Sequence, residues 1–133
     1  MSVVELAILM PVVLIVILLI VQFTLIFHGR QVADAAAREG ARVARAAGVG
    51  DGSGDWQGAA TKRAQDIVKS VGPKMLDKVS VQAWENGSQR GVTVQGDAVA
   101  AVPLLPGMTF RITSKFGGPI ECFRPDDGSG GCG

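Results

Sequence analysis

The chain has 133 residues, 47% of them hydrophobic, and its 13 basic residues nearly balance 12 acidic ones, for a net charge of +1. This length leaves room for one compact domain beside a long apolar segment. A charge so close to zero leaves no electrostatic footprint for nucleic acid, and few aromatic residues are available to stack on bases, so we expect no nucleic-acid partner.

A nearly unbroken apolar run from Leu6 to Phe27 is the first predicted element. As a helix it is roughly 33 Å long, at about 1.5 Å of rise per residue, which is enough to cross the core of a bilayer. No Lys or Arg precedes Arg30 and no small-residue cleavage site ends the run, so we expect a retained anchor rather than a signal peptide. Residues 1–27 therefore form a predicted transmembrane segment, and Pro11 is expected to kink it near Ala7 or Ile8.

Glu5 stands at the head of this apolar run, and two interpretations of it are open. In the first, the carboxylate lies among the lipid headgroups, where the helix dipole mildly favours a negative charge. In the second, it lies at the depth of the hydrocarbon and neutralises a positive group on a neighbouring subunit, because ionisable groups inside membranes are usually paired and functional.

Two features of the sequence predict opposite orientations of the segment in the membrane. Four arginines follow the run within 18 positions of Phe27, and the positive-inside rule would keep that side in the cytoplasm. Two cysteines, Cys122 and Cys132, favour the opposite side, because a disulfide closing the Gly-rich tail fits an exported domain. We hold to an extracytoplasmic domain on a single-pass cytoplasmic membrane protein, and a removed basic leader would resolve the conflict.

Residues 28–47 are predicted to continue the same helix outside the membrane, because nearly all of them are good helix formers. One helix of about 70 Å would then run from near Ser2 to Ala47. Small residues recur every four positions at Ala36, Gly40 and Ala44, a stripe that lets another backbone approach closely. Packing of this stripe on the chain's own domain and on a partner are equally favoured.

Residues 48–133 are predicted to form a small α+β domain with a Gly-rich tail. A second, amphipathic helix begins after Asp55 as its N-cap and ends at Gly72-Pro73. The period then changes to two, and the Asn86-Gly87 turn predicts a hairpin within a three- to four-stranded antiparallel sheet. The expected apolar face of the helix consists of Trp56, Ala60, Ala64, Ile67, Val68 and Val71, and that of the last strand of Met108, Phe110, Ile112, Ser114 and Phe116.

The sequence predicts no catalytic, cofactor-binding or metal-binding residues, and hence no enzyme and no cofactor. Its one histidine, His28, falls at the expected membrane boundary and has no neighbouring catalytic partner in the sequence. Two cysteines alone do not complete a tetrahedral zinc site.

The N-terminal part of the chain resembles the TadE-like pseudopilins of the tight-adherence (Tad, or Flp-type) pilus system. The resemblance is carried by Val4-Glu5-Leu6, the early Pro11, and the Ala-Ala-Arg-Glu-Gly-Ala-Arg block from Ala36 to Arg42. It covers roughly the first 47 residues, and the following helix and strands agree with the general plan of type IV pilins.

The resemblance implies a minor pilin that inserts in the bacterial membrane and is incorporated into, or primes assembly of, an adhesive pilus. Glu5 would then be the fifth residue of a mature chain that starts at Met1, and would meet the free N-terminal amine of a neighbouring subunit. The implied partners are other pilin subunits bound through the N-terminal helix, a prepilin peptidase, inner-membrane pilus assembly proteins and the lipid bilayer. The alternative is a single-pass, membrane-anchored binding domain unrelated to pili.

Overall fold

The computed structural model describes residues 2–47, 54–99 and 109–121. These residues form helix α1 (Val3–Ala46), helix α2 (Trp56–Val71) and the strands β1 (Leu76–Asn86), β2 (Gln89–Ala98) and β3 (Arg111–Pro119). The three strands make one antiparallel sheet in the order β1-β2-β3. The α+β class, the long first helix and the antiparallel sheet are therefore confirmed.

Helix α1 is one continuous helix of 44 residues through both the apolar run and the polar block that follows. At about 1.5 Å per residue its length is roughly 66 Å. The prediction of a single long helix is confirmed, and it continues unbroken past Pro11.

Helix α2 begins and ends where its capping residues predict. The Asp55 carboxylate accepts a hydrogen bond of 2.7 Å from the Gly58 amide, and Gly72 ends the helix. The prediction that Val71 lies on the apolar face was wrong, since this side chain is 56% exposed. The buried row advances by four residues at a time, through Ala60, Ala64 and Val68 to Gly72, so Val71 falls beside the row.

The sheet turns its even-numbered β2 residues towards the helices. Val92 and Val94 are fully buried, and they pair in register with Phe116 and Ser114 of β3, which face the same way. Phe110 departs from the predicted apolar face: it precedes the strand, lies past the last buried residues of the sheet and is 46% exposed. Helix α1 covers β2 and β3, while α2 packs beside it, chiefly over β1.

Arg90 is the most buried charged residue of the described chain and joins four elements. Its Nη1 donates a 2.6 Å hydrogen bond to the carbonyl of Ala47, just past the end of α1, and its Nε donates one of 3.0 Å to Glu85 of β1. Its guanidinium lies 4.5 Å from the centre of the Trp56 ring on α2. A single side chain of β2 thus fixes one end of both helices to the hairpin.

Replacing Arg90 by Met is expected to lower the free energy of unfolding by about 2 kcal/mol, because the carbonyl of Ala47 and the carboxylate of Glu85 lose a charged donor. Denaturant unfolding of the detergent-solubilised chain, followed by tryptophan fluorescence, measures this. The control is Arg42→Met, since the Arg42 side chain is 72% exposed and its loss should cost less than about 0.5 kcal/mol. Equal stability of the two variants would contradict the assignment.

Candidate functional site

Helix α1 consists of two halves with opposite surroundings. From Gly29 onwards one face is buried against the domain, whereas between Val3 and His28 no residue is buried. The exposed side chains of this first half include large ones such as Ile8, Leu14 and Phe23. The helix is long and apolar enough to cross a membrane, and none of its most apolar window is covered by the rest of the chain. A partner of hydrocarbon character, lipid or other helices, is therefore needed to cover it.

The beginning of α1 is closed by a reciprocal pair of hydrogen bonds between Ser2 and Glu5. The amide of Glu5 donates to the Ser2 hydroxyl at 3.3 Å, and the amide of Ser2 donates to Oε2 of Glu5 at 3.0 Å. This capping box satisfies two amide groups that a helix N-terminus would otherwise leave without acceptors. Sequence reasoning missed this role of Glu5, although Ser2 followed by Glu three residues later is the recognised signal.

The capping box does not saturate the Glu5 carboxylate. An ionised carboxylate offers about four acceptor positions, and the Ser2 amide occupies one of them. Glu5 is exposed at the tip of the helix, and among the described residues only the Ser2 amide donates to its carboxylate, so acceptor positions remain for a cation from outside the chain. The same side chain is able to hold its own helix end and to accept an ammonium group.

Two positions inside the apolar half change how the backbone carbonyls of α1 are hydrogen-bonded. Pro11 has no amide hydrogen, so the carbonyl of Ala7 loses its usual helical donor. One turn and a half from the domain, the Thr24 hydroxyl donates a 2.8 Å hydrogen bond to the carbonyl of Ile20, which hides its polarity within the helix. Pro11 therefore leaves one backbone carbonyl of the apolar half without its helical donor, whereas the Thr24 hydroxyl is satisfied within the helix.

The small-residue stripe lies against the chain's own domain. Ala36 and Ala44 have no exposed surface, and Gly40 is buried between them. A Cβ atom on Gly40 would lie 3.0 Å from the Cβ of Ala64 and 3.1 Å from both the carbonyl of Ala60 and Val92 Cγ2. The stripe thus lets α1 approach α2 and β2 closely, which corresponds to the first of the two interpretations left open above.

Polar contacts join the second half of α1 to β3. The Ser114 hydroxyl donates to Asp34 at 2.5 Å, and Nε of Arg45 donates to the carbonyl of Pro119 at 3.2 Å. Arg45 also forms a 2.9 Å ion pair with Glu121. These contacts join β3 to α1 at two positions along the helix, near Asp34 and near Arg45.

Three predicted site residues lie outside the described residues: Met1, Cys122 and Cys132. The amine of a chain that starts at Met1 and the proposed disulfide therefore remain sequence-based predictions. The described residues contain no group of three or more His, Cys, Asp or Glu side chains placed to hold a metal ion.

Comparison with known families matches residues 1–42 to the family described as TadE-like protein. The matched region contains Glu5, Pro11, Ala36 and Gly40, and it covers the apolar half of α1 and most of the half that packs on the domain. The resemblance of the N-terminal region to TadE-like proteins is thereby confirmed. No curated protein and no solved structure matches the chain.

Proposed function

We propose that this chain is a minor pilin-like subunit of a Tad-type pilus. In this proposal it is held in the cytoplasmic membrane by the first half of α1, with its α+β domain outside the cytoplasm. It is then incorporated into the pilus, or primes its assembly, and serves surface adhesion. Its work is packing and recognition, and it carries out no chemical reaction.

The observation that carries the proposal is the division of α1 between an uncovered apolar half and a half fixed to the domain, within a region that is TadE-like. An apolar helix exchanges lipid for other apolar helices at little cost, because both are equally dry. A subunit of this shape is suited to leave a bilayer and enter a bundle of similar helices while its domain stays in water.

Glu5 supplies the polar part of the proposed assembly contact. In a dry helix bundle an unpaired carboxylate is costly, and an ammonium group at hydrogen-bonding distance removes that cost. The free N-terminal amine of a neighbouring subunit, produced when a prepilin peptidase removes a basic leader, is the partner that the pilin resemblance implies. The open acceptor positions of Glu5 leave room for it beside the Ser2 amide.

The polar contacts between α1 and the sheet support the same role. Because Asp34 and Arg45 fix β3 to the helix, a force or a register imposed on the helix is passed directly to the domain. Inner-membrane assembly proteins that bind the helix would therefore position the whole subunit.

We expect the chain to be recovered in pili sheared from cells, with a mature N-terminus four residues before the glutamate and a methylated amine. Mass spectrometry of intact protein from sheared pili and from membranes measures both the location and the processing. A chain found only in the membrane fraction with an unprocessed N-terminus would instead favour the membrane-anchored binding domain unrelated to pili.

A further inference from the structure

The end of the domain nearest the apolar half of α1 is defined by the segments that lie beside residues 28–32. It comprises residues 72–78, 96–99 and 109–112, and we call it, together with residues 28–32, the proximal end. Contacts around Gly29 and Val32 establish its position: the carbonyl of Met75 and the side chains of Leu76 and Ile112 lie near Gly29, and Gly72 lies against Val32. If α1 spans a bilayer, this end faces the lipid headgroups.

Charge at the proximal end is predominantly positive. It contains four basic residues and two acidic ones, although the whole chain carries a net charge of only +1. All four basic side chains are exposed. The basic residues are Arg30, Lys74, Lys78 and Arg111, and the acidic residues are Asp77 and Asp97.

The sequence between β2 and β3 adds no charge to this count, since residues 100–108 contain no Asp, Glu, Lys or Arg.

Lys78 is the clearest case of a positively charged side chain placed at the proximal end. It lies where the register of the β1–β2 pair shifts, between Asp77 and Ser80, and it has a positive φ of 50°. This left-handed conformation costs a residue with a Cβ roughly 1 kcal/mol, and Gly or Asn adopts it more readily. A β-bulge redirects the side chain of the strand in which it occurs, and here the side chain that it presents at the proximal end is an exposed lysine.

Apolar side chains accompany the basic ones. Phe110 is 46% exposed and Val71, one residue before the proximal end, is 56% exposed. Basic residues surrounding partly exposed apolar side chains are the combination that adsorbs to the interface of a bilayer with negatively charged lipids. We propose that the proximal end docks on anionic phospholipid headgroups beside the transmembrane part of α1, and that this second membrane contact holds the domain against the bilayer before assembly.

The proposal rests on α1 spanning a bilayer and does not depend on the pilus role, so the two can fail separately. Its test uses the full chain in lipid nanodiscs made of phosphatidylcholine alone or of phosphatidylcholine mixed with phosphatidylglycerol. Amide hydrogen exchange is measured by mass spectrometry across residues 73–78 and 109–111, with the hairpin tip at residues 86–89 as an internal reference.

We expect anionic lipid to slow exchange at the proximal end by about fivefold for each basic residue that reaches the headgroups, and high salt to reverse this. Exchange at the hairpin tip should not change. Exchange at the proximal end that is the same in both lipid mixtures would overturn the proposal, whether this end is unprotected in both or equally protected in both and insensitive to salt.

Two variants separate position from net charge. The first combines Lys74→Gln, Lys78→Asn and Arg111→Gln, and the control combines Lys62→Gln, Arg63→Gln and Lys115→Gln, which removes the same number of lysines and arginines elsewhere on the domain. Only the first should lose the lipid-dependent protection, and an equal loss in both would refute docking by this end. Lys78→Asn alone should reduce the lipid-dependent slowing of exchange by about fivefold. It should keep the fold, because Asn tolerates the left-handed conformation of residue 78.

Discussion

Replacing Glu5 by Gln is expected to reduce incorporation of the chain into pili by about a hundredfold or more, because in the proposed assembly contact the removal of one partner from a buried ion pair leaves the other uncompensated. The amount of chain in the membrane should not fall, since the substitution removes a charge beside an apolar helix. Immunoblots of sheared pili and of membranes from the same cells measure the two quantities.

The choice of Gln isolates the charge from the capping role of Glu5. A Gln side chain accepts the Ser2 amide in the same geometry, so the capping box survives the substitution. The matched control is Ser2→Ala, which removes the hydroxyl acceptor of the Glu5 amide but keeps the carboxylate. Ala at position 5 would change both properties at once and would not separate them.

Opposite outcomes of this pair decide between the two roles. Incorporation that is lost with Glu5→Gln and retained with Ser2→Ala identifies the carboxylate charge as the assembly group. Pili that contain normal amounts of the Glu5→Gln chain would refute the proposed contact. If Ser2→Ala were the more damaging change, the capping box would matter more for incorporation than the charge of Glu5.

Local signals were sufficient to predict the elements of this fold. Asp55 and Gly72 mark the ends of α2, and Asn86-Gly87 marks the hairpin, because caps and tight turns depend on a few neighbouring residues. The length of α1 follows because no proline interrupts the chain between Pro11 and Ala47, and Pro11 itself does not end the helix. These features depend on the chain's own backbone and require no knowledge of its partners.

Contacts between distant segments could not be predicted from the sequence. Ser114 bonds to Asp34 across 80 positions, and nothing near either residue specifies the other. Arg90 could have been found, because extending the inward alternation of Val92 and Val94 back by one step places it on the buried face. The stripe at Gly40 predicted a close approach but not the surface approached, since small residues permit contact without selecting a partner.

Replacing Gly40 by Leu is expected to lower the free energy of unfolding of the domain by about 3 kcal/mol. A Cβ atom at this position would already lie 3.0 to 3.1 Å from Ala64, Ala60 and Val92, so the further carbons of Leu can be accommodated only if α1 moves away from α2. Denaturant unfolding in detergent, followed by the fluorescence of Trp56 and Trp84, measures the loss.

A graded series distinguishes this packing effect from helix propensity. Gly40→Ala gains about 1 kcal/mol of helix propensity against its tight contacts, so its net effect should be small. Ala46→Leu introduces the same side chain at an exposed position of α1 and should leave stability within about 0.5 kcal/mol. If Gly40→Leu were as stable as Ala46→Leu, α1 would not be held tightly against α2, and the stripe would be available to a partner helix. A large loss at position 40 alone would mean that the domain itself uses the stripe, which leaves the apolar half of α1 as the surface for the proposed contact with neighbouring subunits.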